Sequence, residues 1–229
     1  MGRFVEDKKL HGKSFVFKDR EDAGDKIADF IQKYIDKNSI ILAVPSGGIP
    51  VAYRMSKKLH IPFDLVLVKK ITYPWTTEAG FGAVSVEGDE VINSEAVEYY
   101  RLSEEEIKKQ KEKTVQILKE RNRKFRRGKP FPDIKGKTVV VVDDGLASGS
   151  TMKAAIEMIT RKKPEKIIVA VPTCSHSAVK TLLPETDMIV CLNYRPDYPY
   201  AVADAYENWY DLTDEDVLYY LEKKEGNDD

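Results

Sequence analysis

The sequence predicts an α/β fold: a doubly wound parallel sheet of about five strands with helices on both faces. The first observation is that short apolar runs alternate along the chain with segments of helical periodicity. The second is a run of four valines at residues 139–142, which is typical of a strand buried on both faces. The third is that glycine-rich turns follow two of the apolar runs directly, and such turns are where open α/β sheets bind ligands.

Five apolar runs are predicted to form the strands of the sheet. In chain order they are residues 39–44, 64–68, 139–142, 166–171 and 188–192. Helices are predicted at residues 21–37, 50–59 and 177–183, and a further helix follows residue 151, where Met152, Ala155, Ile156 and Ile159 recur at helical spacing. With the strands numbered in chain order, the order 2-1-3-4-5 would place the ends of strands one and three side by side. The turns at residues 45–48 and 143–151 would then meet.

A long stretch interrupts this alternation before the third strand. Residues 71–137 are predicted to be a loop-and-helix insertion with a hairpin over residues 82–91. Ser103 and Glu106 have the spacing of a capping box and are predicted to open a highly charged helix. The cationic run at residues 121–127 could suggest contact with RNA. A solvated helix end, where cations favour the dipole, fits the charge pattern better.

The composition predicts one soluble domain, residues 1–229. The chain is 42% hydrophobic and 33% charged with a formal net charge of −1, so it has no overall attraction for nucleic acid or for a membrane surface. It contains no apolar run long enough to span a membrane and no apolar signal core near Met1. Cys174 and Cys191 lack a metal-like spacing, which favours two buried thiols in a reducing cytoplasm. The histidines stand apart, which argues against a transition-metal site.

The turn that follows the four valines is predicted to bind a phosphorylated sugar. It lies between a strand and a helix, where free amides and the helix dipole attract an anion. Its glycines let a ligand approach the backbone, and its hydroxyl side chains add hydrogen-bond donors. Asp143 and Asp144 would repel a bare phosphate, but carboxylates accept hydrogen bonds from sugar hydroxyls. The same residues also fit a buried strand followed by a solvated Asp-Asp turn.

The segment VVVVDDGLASGST, residues 139–151, resembles the 5-phosphoribosyl-1-pyrophosphate (PRPP) signature of the type I phosphoribosyltransferases. A Walker A loop does not fit, because that motif needs Gly-Lys-Ser/Thr. This turn has Gly149-Ser150-Thr151, and Lys153 lies inside the helix. The resemblance covers residues 17–221 and looks closest to a group of phosphoribosyltransferases of unassigned substrate. It implies the type I phosphoribosyltransferase fold and PRPP as the substrate. It also implies Mg²⁺ that is held through PRPP, with no metal site built by protein side chains alone.

The resemblance also implies roles for individual residues. Asp143, Asp144 and Lys70 would be catalytic. The other PRPP-binding residues would be Ser46, Gly47, Gly48, Lys69, Gly145, Leu146, Ala147, Ser148, Gly149, Ser150 and Thr151. Many relatives have a basic residue where this chain has Ser46, which lowers the expected charge contact with pyrophosphate. The Pro45–Ser46 bond is the candidate for the non-proline cis peptide bond of this family loop. One of the two lysines could instead be a charged strand end that faces water.

Two further segments correspond to a lid and a hood in the family. Residues 74–84 fall where the family has a mobile catalytic loop, so Trp75 and Phe81 could cover a ligand. The alternative is a rigid strand pair in which both rings are buried. Residues 193–229, an aromatic C-terminal tail with a last short helix, fall where the family has the hood that holds the acceptor. The side chains of Tyr194, Tyr198 and Tyr200 could stack on an acceptor ring or simply pack the hood.

The implied activity is transfer of ribose 5-phosphate from PRPP to a nitrogenous base or similar small-molecule acceptor, with release of pyrophosphate. A PRPP-sensing regulator that has the same fold and binds without turnover is one alternative. A hydrolase or phosphorolytic enzyme that acts on a phosphorylated ribose is another. The resemblance does not identify the acceptor, and it leaves a homodimer open.

Overall fold

The computed structural model describes residues 2–76, 79–197 and 199–225, and it has the α/β fold that the sequence predicts. Its strands are β1 (Arg3–Glu6), β2 (Ser39–Ala43), β3 (Phe63–Leu65), β4 (Val68–Thr72), β5 (Gly80–Ser85), β6 (Glu90–Ile92), β7 (Thr138–Val142), β8 (Lys166–Ser175) and β9 (Met188–Arg195). Its helices are α1 (Arg20–Ile31), α2 (Gly48–Leu59), α3 (Ser94–Tyr99), α4 (Glu104–Arg126), α5 (Ser150–Arg161), α6 (His176–Leu182) and α7 (Asp214–Glu225).

Six parallel strands form the central sheet, in the order β1-β9-β8-β7-β2-β3. The predicted order of the five strands is confirmed, and β1 is an additional edge strand beside β9. β7 lies inside the sheet and is buried on both faces. Val140 and Val142 pack in the core that α1 and α2 cover, whereas Val139 and Val141 pack in the core that α5 and α6 cover. The alternation of these valines between two cores explains why the run carries no polar residue.

The predicted second strand, residues 64–68, is wrong at its C-terminal end. β3 ends at Leu65, and the chain then changes partners. The Val66 amide still donates to the Ala43 carbonyl of β2 at 2.9 Å, but the Leu67 carbonyl accepts from the Val86 amide at 3.0 Å. β4 joins β5 and β6 in a separate antiparallel sheet, which contains the predicted hairpin. An uninterrupted apolar run cannot reveal this change, because both sheets bury it.

Helix α4 has the predicted capping box at its start, but its cationic end is not simply solvated. Arg121 pairs with Asp214 at 2.9 Å, and Arg127 pairs with Glu222 at 2.7 Å. Both acids belong to α7, so these pairs hold α7 against α4. The prediction of a solvated helix end is therefore incomplete, because spacing along one helix does not show partners about ninety residues away. The ion pairs also occupy cations that a contact with RNA would need.

The third arginine of this helix end, Arg126, is buried. Its guanidinium bonds to Asp64 at 3.1 Å and to the Leu65 carbonyl, and it lies 5.2 Å from the centre of the Phe131 ring. It therefore ties the end of α4 to the end of β3, where the chain leaves the central sheet.

Within the described ranges, no helix combines the length and the apolar character needed to cross a membrane. Cys174 and Cys191 are buried free thiols, as the sequence predicts.

Candidate functional site

The two glycine-rich turns meet at the C-terminal ends of β2 and β7, and we call this place the switch-point site (residues 45–48 and 143–151). The Val44 amide donates to the Val142 carbonyl at 2.8 Å. A Cβ atom at Gly48 would lie 2.5 Å from that carbonyl oxygen, and one at Gly47 would overlap the Asp144 carboxylate. A side chain at Gly48 would clash with the backbone of β7, and one at Gly47 would displace the Asp144 carboxylate, so these glycines let the two turns touch.

The turn before α5 is anchored to the neighbouring strand β8. Leu146 exchanges backbone hydrogen bonds of 3.0 Å with Thr173 and Ser175, and the Ser175 hydroxyl donates to the Ala147 carbonyl at 2.5 Å. Gly149 has a φ of +78°, which a residue with a side chain rarely adopts, and it is the N-cap residue of α5. The turn is thus held in place from the protein side, while the first amides of α5 have no acceptor within the helix.

The hydroxyl groups of this turn lie at its outer side. Ser148 and Ser150 are joined by a hydrogen bond of 2.8 Å between their Oγ atoms. Ala147 and Ser148 are exposed, whereas Gly149 is buried. A helix start with two adjacent hydroxyls is a site that an anion such as a phosphate can occupy.

The structure brings Asp143 and Asp144 to the switch-point site, as predicted, but gives them different partners. Asp144 accepts from the Nε of Arg20 at 2.8 Å, and both side chains are largely buried. The backbone carbonyl of Asp144 accepts from the Tyr206 hydroxyl at 2.6 Å. Asp143 accepts through Oδ1 from the Asp144 amide at 2.9 Å. One acid is therefore engaged in an ion pair, and the other is the better placed of the two to receive a ligand.

Burial and mutual repulsion both affect the pKa values of this acid pair. Burial, and next the charge of Asp144, raise the pKa of Asp143 well above its ordinary value. Burial also raises the pKa of Asp144, but the guanidinium of Arg20 opposes that rise. Of the two carboxyl groups, Asp143 should therefore take up a proton first as the pH falls. A hydrogen-bond donor or cation brought to Asp143 would favour its charged form.

The loop after β2 has the expected backbone. The Pro45–Ser46 peptide bond is cis, as the family resemblance led us to expect. Ser46 is half-buried, and its carbonyl accepts from the Ile49 amide at 3.2 Å at the start of α2. The helix begins at Gly48, two residues earlier than the predicted start at residue 50.

The two predicted lysines, Lys69 and Lys70, lie inside β4 rather than at the end of a central strand. Burial, and next the charge of Arg121 on α4, lower the pKa of Lys69. Lys70 is on the opposite face of the strand. It pairs with Ala83, which packs in the same core as α5. The structure thus separates the two side chains: Lys69 lies on the α4 side, and Lys70 lies on the side of the helix that begins at the switch-point site.

The three predicted tyrosines do not form one group. The ring of Tyr194 packs against Phe4 of the edge strand at 5.1 Å, and its hydroxyl lies 2.6 Å from the Nδ1 of His176. Tyr194 belongs to β9, and its partner Phe4 belongs to the unpredicted strand β1, so this ring packs at the edge of the central sheet. The Tyr200 hydroxyl donates to the Thr173 Oγ1 at 3.3 Å. Thr173 lies against Gly145 of the site. Tyr198 lies outside the described residues.

The predicted lid, residues 74–84, is only partly a loop. From Gly80 onwards it is strand β5, and Phe81 is buried at 1% exposure, so the expectation that Phe81 covers a ligand is wrong. Phe81 is an inward-facing residue of an antiparallel strand, which the rigid alternative anticipated. Trp75 is 58% exposed and stacks on Tyr73 at 5.2 Å. Thr77 and Glu78 lie outside the described residues.

Arg20 and the tail residues that surround it were not predicted as part of the site. Arg20 is the first residue of α1, after the N-cap Asp19. A cation at this end of a helix opposes the helix dipole, and that mismatch is the signal that could have marked it. The role of Tyr206 had no such signal, because a buried tyrosine in an aromatic tail is ordinary core.

Within the described ranges, no three His, Cys, Asp or Glu side chains cluster as a metal-ion site. The donor set at the switch-point site is two adjacent carboxylates, one of them engaged with Arg20. This set fits Mg²⁺, which usually takes one or two protein carboxylates and completes its shell with water and substrate phosphates.

Comparison with known proteins gives a consistent result. The model of the family described as "Phosphoribosyl transferase domain" matches residues 17–206. The proteins named "Putative phosphoribosyl transferase" from two strains of Mycobacterium tuberculosis are each 32% identical over 208 residues. That match covers 91% of this chain and 47% of each relative, so the chain spans about half the length of these proteins. The crystal structure of TT1426 from Thermus thermophilus is 32% identical, with a TM-score of 0.75 over 90% of this chain and 98% of that one.

Proposed function

The chain belongs to the phosphoribosyl transferase domain family, and from this premise we propose that it is a PRPP-dependent phosphoribosyltransferase. It would transfer ribose 5-phosphate to a nitrogenous base or similar acceptor and release pyrophosphate. The observation that carries the proposal is the contact between the two turns of the switch-point site. Gly47 and Gly48 pack directly on Val142 and the acid pair. A ligand with a phosphate at one end and a pyrophosphate at the other would span both turns.

Each part of PRPP has a matching part of the site. The 5-phosphate would lie at the start of α5, among the amides and the hydroxyls of Ser148 and Ser150. The ribose hydroxyls would donate to Asp143, which is the first residue of the second turn and lies against Gly48 of the first. The pyrophosphate would lie on the loop of residues 45–48, where Ser46 stands in place of a basic residue. Lys70, on the α5 side of β4, would supply positive charge.

The reaction needs positioning and electrostatic stabilisation more than a nucleophilic side chain. The bond from the anomeric carbon to the pyrophosphate oxygen breaks, a bond from that carbon to an acceptor nitrogen forms, and the configuration inverts. The bound phosphate and the held diol would keep the ribose fixed while positive charge develops on the ring. Mg²⁺, when bound through PRPP, would neutralise the charge of the departing pyrophosphate.

An assay of pyrophosphate release tests the proposal. The protein is incubated with PRPP, Mg²⁺ and single nucleobases from a panel, and pyrophosphate is measured with and without each base. We expect release that depends on one acceptor and that is lost in Asp143→Asn. Release without any acceptor would instead indicate a hydrolase.

A regulator that binds PRPP without turnover is the second candidate, and one observation favours it. Ser46 lacks the positive charge that the pyrophosphate loop of many relatives carries. Saturable PRPP binding in calorimetry, together with no pyrophosphate release across the whole panel, would support the regulator and contradict the enzyme.

A further inference from the structure

Arg20 is the point where three distant parts of the chain meet. It begins α1, its Nε atom donates to Asp144 after β7, and its Nη1 atom donates to the Tyr210 carbonyl of the tail at 2.9 Å. Its guanidinium lies 3.8 Å from the centre of the Trp209 ring. The residue is only 6% exposed. An arginine that is desolvated, stacked and hydrogen-bonded on two sides has little freedom to move.

Asp144 is held as firmly as Arg20. Its Oδ2 atom receives the Arg20 bond, its carboxylate fills the space above Gly47, and its backbone carbonyl receives the Tyr206 hydroxyl. The Asp144 carboxylate thus lies between the arginine and the loop after β2. Asp143, by contrast, has its Oδ1 atom bound by the Asp144 amide, so its position depends on that of Asp144.

We propose that Arg20 is a positioning residue: it holds Asp144 against the loop at residues 45–48 and thereby leaves Asp143 as the acid that receives the ribose hydroxyls. This inference rests on the proposed function, because it assumes that PRPP is the ligand. It assigns unequal roles to two adjacent acids that the sequence presents as equivalent. Asp143 touches the substrate, and Asp144 acts as the counter-ion and spacer through which Arg20 shapes the pyrophosphate loop.

The chemistry favours arginine over lysine in this role. A guanidinium can bond to a carboxylate and a carbonyl at once while its flat face stacks on an aromatic ring. A lysine at this position would keep the charge. It would lose the planar arrangement of donors that bonds to two groups at once, and it would lose the stacking on Trp209. A neutral side chain would leave Asp144 buried without its counter-ion, and that carboxylate would then take a proton or turn towards solvent.

The test compares Arg20→Ala and Arg20→Lys with the wild type in calorimetric titrations with PRPP and Mg²⁺. We expect Arg20→Ala to weaken PRPP binding about 10- to 100-fold, the range for one lost hydrogen bond to a charged group. Arg20→Lys should lose less. The matched control is Arg54→Ala, because Arg54 also pairs with an aspartate, Asp25, at 2.5 Å and lies on the adjacent helix α2. Its PRPP affinity should stay within about twofold of the wild type.

Chemical rescue separates a positioning role from a merely structural one. Arg20→Ala leaves a space between Trp209 and Asp144 that a free guanidinium ion can fill. We expect guanidinium at millimolar concentration to restore PRPP affinity in Arg20→Ala, whereas urea at the same concentration should not. Should Arg20→Ala fail to fold, Arg20→Lys remains the variant, and an affinity equal to that of the wild type would overturn the proposal.

A measurement without PRPP distinguishes failure of the positioning role from failure of the proposed function. Carbon-13 NMR of the aspartate carboxyl groups follows the titration of Asp144 in the ligand-free protein. We expect the pKa of Asp144 to rise when Arg20 is replaced and to return towards the wild-type value with guanidinium. An unchanged Asp144 titration, or lost PRPP affinity that guanidinium does not restore, would overturn the positioning role. If the wild type itself does not bind PRPP, the proposed function fails, and the Asp144 titration still decides whether Arg20 controls that carboxylate.

Discussion

Replacing Asp143 by asparagine should stabilise the ligand-free protein while it weakens ligand binding. Burial and the charge of Asp144 raise the pKa of Asp143 on folding, so the ionised carboxylate destabilises the folded state at neutral pH. Asparagine removes the charge and keeps the acceptor for the Asp144 amide. An uncompensated buried polar group costs about 1–3 kcal/mol. For a domain of this size, each kcal/mol shifts the Tm by about 2–4 °C.

The effect of the Asp143 carboxyl group on the free energy of unfolding depends on pH with a defined sign. The folded-state pKa of Asp143 lies above the unfolded value of 3.8. The destabilisation is absent below 3.8, where Asp143 is protonated in both states. It grows as the pH rises from 3.8 to the folded-state pKa and is constant above that pKa. The advantage of Asp143→Asn should therefore be larger at neutral pH than at pH 4 and should disappear as the pH falls towards 3.8.

The neighbouring variant Asp144→Asn is the matched comparison. It removes the counter-ion of the buried Arg20, and a hydrogen bond to a charged group contributes about 1.5–3 kcal/mol. With a gain of about 1–3 kcal/mol in one variant and a loss of about 1.5–3 kcal/mol in the other, the Tm of Asp143→Asn should exceed that of Asp144→Asn by about 5–24 °C at pH 7. Thermal unfolding between pH 4 and 8, without ligand, measures both. A Tm of Asp143→Asn below the wild type at pH 7, or below that of Asp144→Asn, would refute the reasoning.

Three more outcomes follow from the structure. Lys70→Met should weaken PRPP binding by about 1.5–3 kcal/mol, whereas Lys69→Met, on the α4 side, should leave it nearly unchanged in calorimetry; equal losses would contradict the assignment. On addition of PRPP and Mg²⁺, hydrogen exchange should slow in residues 73–76 but not in β5, and identical exchange with and without ligand would exclude a lid there. Arg126→Met should lower the free energy of unfolding in urea by about 3–5 kcal/mol with PRPP affinity retained, because the partly buried carboxylate of Asp64 loses its cationic partner. A loss below about 1 kcal/mol would show that the pair contributes little to stability.

The central strands and the glycine-rich turn after β7 could be predicted because their signals are local. A run of valines, two acids and a glycine-rich turn occupy consecutive positions, and both the strand and the helix after it follow from spacing alone. The order of the five strands was expected from the alternation of strands and helices along the chain. The contact of the two turns could be expected, since strand ends meet at the switch point of such a sheet.

The features that could not be predicted depend on distant partners. Arg20 and Asp144 are 124 positions apart, and spacing along one helix or strand does not link them. β1 has only four residues and is a strand because β9 offers it an edge. That strand in turn places Phe4 against Tyr194, so the packing of this tyrosine depends on a strand that was not predicted. The break between β3 and β4 lies inside an apolar run that looks continuous.

The most direct test of the account is a calorimetric titration of the wild type and Asp143→Asn with PRPP in the presence of Mg²⁺. The account predicts saturable binding of one PRPP per chain by the wild type, with affinity about 10- to 100-fold lower in Asp143→Asn. No saturable binding by the wild type at millimolar PRPP, or equal affinity in the two proteins, would contradict the claim that the switch-point site holds PRPP with its ribose on Asp143.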